Sequence, residues 1–156
     1  MPLEIERKFL VRGDAWRAAP RVYICQGYLN RDRQRTVRVR IAGDAAWLTI
    51  KGESAGATRA EFEYAIPLQD ARELLPLCEP PLIEKYRHTL QACGNLWEVD
   101  EFLGDNQGLV VAEIELASAD QAFERPDWVG AEVTEDARYY NSNLSRHPFR
   151  HWAAQG

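Results

Sequence analysis

Glu4, Glu6 and Lys8 stand at alternate positions in the opening run EIERKFLV, and the same spacing returns in Arg38/Arg40, Glu61/Glu63, Lys85/Arg87, Glu98/Asp100 and Glu113/Glu115. Basic side chains gathered on one surface suit the non-bridging oxygens of a polyphosphate, which arginine grips as a fork and lysine as a point charge. Carboxylates gathered on one surface suit a hard divalent cation such as Mg²⁺ or Mn²⁺. Such an ion takes a few carboxylate oxygens and completes its shell with water and phosphate. Both sets are present: Lys8, Arg38, Arg40, Lys51, Lys85 and Arg87 against Glu4, Glu6, Glu61, Glu63, Glu98, Asp100, Glu113 and Glu115. Six cations against eight acids leave −2, and two divalent ions would carry the set to +2, a charge that draws in a polyanion. The signs are segregated by strand, so clusters of one sign are expected to need a counterion.

Alternate spacing is what a strand needs to put one kind of side chain on one face. Strands are expected at about 3–12, 21–30, 35–42, 46–52, 59–67, 83–92, 95–103 and 109–117, with turns at Gly43-Asp44, Cys93-Gly94-Asn95 and Gly104 to Gly108. Helices are expected near 14–19, at 68–78 with Pro80-Pro81 ending it, near 118–124 with Ser118 as N-cap, and from Thr134 to Leu144 with Thr134 as cap. Eight antiparallel strands with one charged and one apolar face admit two architectures. An open sheet would leave the charges in water. A closed barrel would line a wet lumen with them and turn Ile5, Phe9, Val37, Val39, Ile41, Phe62, Tyr64, Ile114 and Leu116 outward against helices.

The chain is sized for one domain over 1–156, and its 46% hydrophobic and 28% charged residues fit a globular class. A net charge of −5 argues against a general nucleic-acid binder. Cys25, Cys78 and Cys93 are an odd number without zinc-type spacing, so neither a disulfide framework nor a structural zinc site is expected. Neither a secretory leader nor a membrane span is legible, which predicts a soluble cytoplasmic protein.

The pattern Glu4-x-Glu6-x-Lys8 resembles the E-x-E-x-K signature of the CYTH superfamily, the triphosphate tunnel metalloenzymes. Tyr28, TVRVR (Arg38, Arg40), LTIKG (Lys51), EFEY (Glu61, Glu63), EKYRH (Lys85, Arg87), WEVD (Glu98, Asp100) and AEIEL (Glu113, Glu115) follow in the family's order. The tail WVGAEVTEDARYYNSNLS is similar to that of short bacterial members. The resemblance implies an α+β fold built on an eight-stranded antiparallel β-barrel, a triphosphate tunnel with a charged lumen, helices outside and a C-terminal helix at one mouth. It implies that Lys8, Tyr28, Arg38, Arg40, Lys51, Lys85 and Arg87 bind substrate and that Glu4, Glu6, Glu61, Glu63, Glu113 and Glu115 hold two ions of Mg²⁺ or Mn²⁺. Glu98 and Asp100 would support them, through water or by holding Arg and Lys side chains.

The activity so implied is metal-dependent hydrolysis of inorganic triphosphate to phosphate and pyrophosphate, with Glu4, Glu6 and Lys85 closest to the chemistry. One ion would neutralise phosphate charge, a second would activate water, and Lys85 or another lumen lysine would assist the leaving diphosphate. Rival activities of the same tunnel are a class IV-type adenylate cyclase, a thiamine triphosphatase and a nucleoside triphosphatase. A different class is a non-catalytic polyphosphate-binding module, which would need the bases but not all three acidic pairs. The partner expected is a small-molecule triphosphate, with no membrane; superfamily relatives are often dimeric, so a homodimer is compatible. His88, His147 and His151 have no metal spacing and receive no role.

Overall fold

Alternation of charged and apolar side chains produces nine strands in the computed structural model, which describes residues 3–152. The expected domain, 1–156, extends past both ends of that range. The strands are β1 (Leu3–Val11), β2 (Arg21–Asn30), β3 (Arg35–Ala42), β4 (Ala45–Gly52), β5 (Thr58–Ile66), β6 (Glu79–Ala92), β7 (Asn95–Phe102), β8 (Val110–Glu115) and β9 (Val129–Glu132). They run antiparallel in the order β5-β4-β3-β2-β6-β7-β8-β1-β9, and β5 also pairs with β1, so the first eight close into a barrel.

Closure leaves β1 with a divided edge. One side pairs with β8 from Glu6 to Leu10; the other pairs with β5 at Leu3–Ile5 and with β9 at Phe9 and Val11. β9 was not foreseen. It favours a glycine, because a Cβ on Gly130 would stand a tight 3.1 Å from the Leu10 carbonyl oxygen.

Register decides which residues face inward. Lys8 opposes Glu113, Glu6 opposes Glu115, Lys51 opposes Glu61, Tyr28 opposes Arg38, and Arg87 opposes Asp100. All the singled-out charges therefore share the inner face. The apolar residues between them face outward in two groups. Phe9, Trp97, Val99, Ala112 and Ile114 pack under Trp16, Phe123, Trp128 and Val129; Val39 and Ala46 pack under Ala71, Leu68 and Leu74. Burying each such large side chain contributes about 1.5–3 kcal/mol. Gly27 permits the second group's close approach, since a Cβ there would lie 2.7 Å from Cys78 Cβ.

Several expectations need correction. Tyr64, foreseen as packed, is exposed. The helix expected at 68–78 is α1 (Leu68–Leu74) followed by a 3-10 turn at Leu75–Leu77, because Pro76 lacks the N–H that would continue the α ladder. Pro80 and Pro81 lie inside β6, where the β2–β6 register shifts and neither proline has a ladder partner. No helix forms at 118–124: Ser118 bonds Asp120 instead of capping, and the segment lays Phe123 against Phe9 and Trp97. The tail is not a helix from 134 to 144 either. Thr134 completes the edge of β1 by accepting from Lys8 N at 3.0 Å, and helical turns appear only at Ala137–Tyr139 and in α2 (Asn141–Leu144). Among the described residues no helix is long and apolar enough to cross a membrane.

Candidate active site

The barrel interior holds a cavity of about 180 Å³. Glu4, Glu6, Lys8, Tyr28, Arg38, Arg40, Lys51, Glu61, Glu63, Lys85, Arg87, Glu98, Glu113 and Glu115 all line it. Eight strands contribute to one site because each inward position of the barrel points at the same axis. Asp100 does not line the cavity. It points inward but lies beneath the cavity surface, 1% exposed, where its carboxylate takes Lys85 Nζ at 2.8 Å and Arg87 Nε at 2.8 Å. Of the two supporting roles foreseen for it, this is the one that holds basic side chains.

One end of the barrel is shut. Tyr28, Ile83, Phe102, Leu109 and Val111 meet Leu144 of α2, with Tyr139, Phe149 and Trp152 against them. Tyr140, Asn141 and Ser142 form the cavity floor on that side. Sequence reasoning left open whether the tail closes a mouth or packs outside; the inward-facing apolar residues at the end of β6, β7 and β8 are the signal that something apolar must enter. Arg59 was also missed. It sits two residues before Glu61, on the same face of β5, and donates to Glu4 at 3.3 Å. Thr36 and Thr49 line the wall as well, and their type alone carried no signal.

The interior is less segregated than the strand-by-strand signs suggested, because neighbouring strands exchange partners. Lys8 bridges Glu6 at 3.0 Å and Glu113 at 2.8 Å; Lys51 bridges Glu4 at 2.9 Å and approaches Glu61 at 3.4 Å. Burial alone would depress the Lys8 ammonium, but Glu113 and Glu6 reverse this and hold its pKa well above the usual lysine value. What remains is a cationic pole and an acidic one.

At the cationic pole stand Arg38, Arg40, Lys85 and Arg87. Arg38 gives one N–H to Thr49 at 3.2 Å, while its Nε is buried without a hydrogen-bond partner among the described residues. Such a group costs about 1–3 kcal/mol unless a ligand satisfies it. Among the described residues Arg40 meets no carboxylate within ion-pair distance; burial and the charges of Arg38 and Arg87 press it toward proton loss, yet a guanidinium stays charged in proteins. Burial lowers Lys85 to about 7 against the opposing pull of Asp100, with Arg87 and Arg40 adding to the fall.

At the acidic pole, burial and then the neighbouring charges of Glu4 and Glu63 raise Glu61 to about 7 in spite of Lys51. Glu115 is raised too, by burial and by Glu4 and Glu6. Carboxylates whose charged form is disfavoured in this way are short of positive charge, and an all-oxygen donor set of this kind suits Mg²⁺ or Mn²⁺. Among the described residues no three of them already surround one point. Glu4, Glu6, Glu61, Glu63, Glu113 and Glu115 are the side chains that could hold such an ion.

His88 faces away from the cavity, its ring against Trp16 at 4.8 Å, as a buried structural side chain.

Residues 2–146 match the CYTH domain. An inorganic triphosphatase of Acetivibrio thermocellus is 51% identical over 97% of this chain and 99% of its own length. A second inorganic triphosphatase, of Nitrosomonas europaea, is 38% identical over 91% of this chain and 96% of its own. The crystal structure of an inorganic triphosphatase superposes with a TM-score of 0.67 at 37% identity, covering 90% of this chain and 96% of that one.

Proposed function

The chain belongs to the CYTH domain family, and on that premise we propose that its lumen hydrolyses inorganic triphosphate to orthophosphate and pyrophosphate. The observation that carries this reading is the cationic pole: four basic side chains around one cavity and, among the described residues, a buried Arg38 Nε that lacks a partner and an Arg40 that lacks a carboxylate. A row of phosphates supplies what both groups want.

Arg38, Arg40 and Arg87 hold non-bridging oxygens by their forks, and Lys85 holds one as a point charge. Glu4, Glu6, Glu61, Glu63, Glu113 and Glu115 would hold Mg²⁺ or Mn²⁺. Once bound, the ion supplies neutralisation of phosphate charge and a water of lowered pKa. Attack of water on a terminal phosphorus breaks its bond to the bridging oxygen, and pyrophosphate departs. With a pKa near 7, Lys85 is suited to give that leaving oxygen a proton. Asp100 keeps Lys85 and Arg87 aimed and takes no part in bond making.

The test is a substrate panel of inorganic triphosphate, ATP and thiamine triphosphate with Mg²⁺ or Mn²⁺, scored for phosphate, pyrophosphate and cyclic nucleotide. Inorganic triphosphate is expected to give the highest kcat/KM, and Glu4→Gln or Glu6→Gln to abolish metal-dependent turnover while a cooperative thermal unfolding transition persists. Preferential release of cyclic nucleotide, or tight binding with no turnover under any metal, would overturn the proposal.

A further inference from the structure

The segment that shuts the barrel also touches the cationic pole. Asn141 Oδ1 accepts a hydrogen bond from Lys85 Nζ at 3.0 Å and another from Gln26 Nε2 at 3.0 Å. Gln26, fully buried on β2, turns its own Oε1 to Arg40 Nε at 2.7 Å. One amide oxygen on the tail is thus connected, through one further amide, to two cations on different strands.

The choice of amides has a physical consequence. A carboxylate at either position would orient the cations equally well but cancel their charge and repel phosphate. A neutral carbonyl oxygen orients without neutralising. Lys85 has three N–H donors; Asp100 takes one and Asn141 a second, which leaves one for the cavity. Among the described residues the bond to Gln26 is the side-chain hydrogen bond of Arg40, so the rest of its fork is free.

We propose that Asn141 and Gln26 are positioning residues of this site, fixing Lys85 and Arg40 from behind so that their remaining donors meet phosphate. This rests on the function proposed above. It assigns the tail a part in substrate binding that simple closure of the barrel would not require.

The experiment compares Asn141→Leu, Gln26→Leu and the double variant on inorganic triphosphate with Mg²⁺, alongside thermal midpoints. Each single change is expected to raise KM about tenfold, the scale of a lost hydrogen bond to a charged group, with a smaller effect on kcat. The double variant should be little worse than either single one, because both cut the same chain. Asn141→Asp, which keeps the acceptor, should retain the orientation yet raise KM through its charge. A readout free of substrate is the Nζ resonance of Lys85 in protein labelled with ¹⁵N-lysine: hydrogen-bonded and slowly exchanging in the wild type, lost in Asn141→Leu. Wild-type KM together with an unaltered Lys85 resonance in Asn141→Leu overturns the positioning role. Absence of turnover by the wild type overturns instead the function on which it rests; calorimetric affinity for tripolyphosphate, unchanged in Asn141→Leu, would then count against the positioning role on its own.

Discussion

Lys85 Nζ stands 2.8 Å from Asp100 Oδ2, with the two side chains 0% and 1% exposed, and the same carboxylate also takes Arg87 at 2.8 and 2.9 Å. One buried acid thereby counters two buried cations. Removing one partner of such a group leaves uncompensated charge in the interior and typically costs about 3–5 kcal/mol. Asp100→Ala is expected to lose that much in urea unfolding, and Asp100→Leu combined with Lys85→Met to regain part of it without regaining activity. A loss under about 1 kcal/mol for Asp100→Ala, where a surface pair would lie, would show that the pair is not closed from water.

The position of Lys85 also sets a pH dependence. Burial, opposed by Asp100, brings it to about 7, far below the usual lysine value of about 10.4. Between those two values the unfolded chain holds a proton that the folded chain has released, so this group's contribution to stability rises with pH across the window. Activity runs the other way, because the protonated lysine is the form that binds phosphate and gives up a proton. The rate is expected to fall above pH 7. In Lys85→Arg, whose charge does not titrate, the alkaline fall should disappear even though the rate is lower. An alkaline limb of the same midpoint in Lys85→Arg would assign it to another group.

Much of this was legible because a strand writes its faces at every second residue. The boundaries of β1 to β5 and β7 fall within a residue or so of those read from alternation, and every inward charge named beforehand lines or backs the cavity. What escaped was what alternation does not encode. β9 is a four-residue strand whose identity lies in its contacts: Glu132 receives Arg7 Nε at 2.7 Å, and Val129 pairs with Val11. The helices expected at 118–124 and 134–144 failed because side-chain oxygens of Ser118 and Thr134 found partners outside any helix N-terminus. Gln26 and Asn141, being neutral, offered no charge pattern to notice.

Glu61 gives a second pH test, opposite in sign. Burial and then Glu4 and Glu63 raise it to about 7 from the usual value of about 4.3, so between these values the folded chain holds more protons than the unfolded one. Its contribution to stability is present at low pH and is lost as pH rises through 7. The wild-type thermal midpoint should therefore drop between pH 5 and pH 8 by more than that of Glu61→Gln, and at pH 8 the variant should be the more stable by a few degrees. For a chain of this size each kcal/mol shifts the midpoint by about 2–4 °C. Mg²⁺ at pH 8 should stabilise the wild type more than the variant, since a bound ion relieves the repulsion that the substitution has already removed. Parallel pH curves for the two proteins would show that Glu61 does not carry the excess charge.

Leu144 fixes how the tail should be regarded. It is fully buried and packs on Ile83, Phe102 and Val111, which face into the barrel, with Tyr139, Phe149 and Trp152 against the same cluster. Leu144→Ala is expected to cost about 2–5 kcal/mol, as for other buried leucines. Deleting residues 134–156 goes further, removing Phe149 and Trp152 from the same cluster and the Thr134 acceptor from Lys8 N. A movable gate would leave behind a stable barrel with an open second mouth and undiminished affinity. A buttress would leave an apolar wall in water, which lowers the unfolding midpoint and binds a hydrophobic dye. The packing predicts the second result: loss of stability and of substrate affinity together. A truncated protein as stable as the full chain, turning over substrate faster, would make the tail a gate instead.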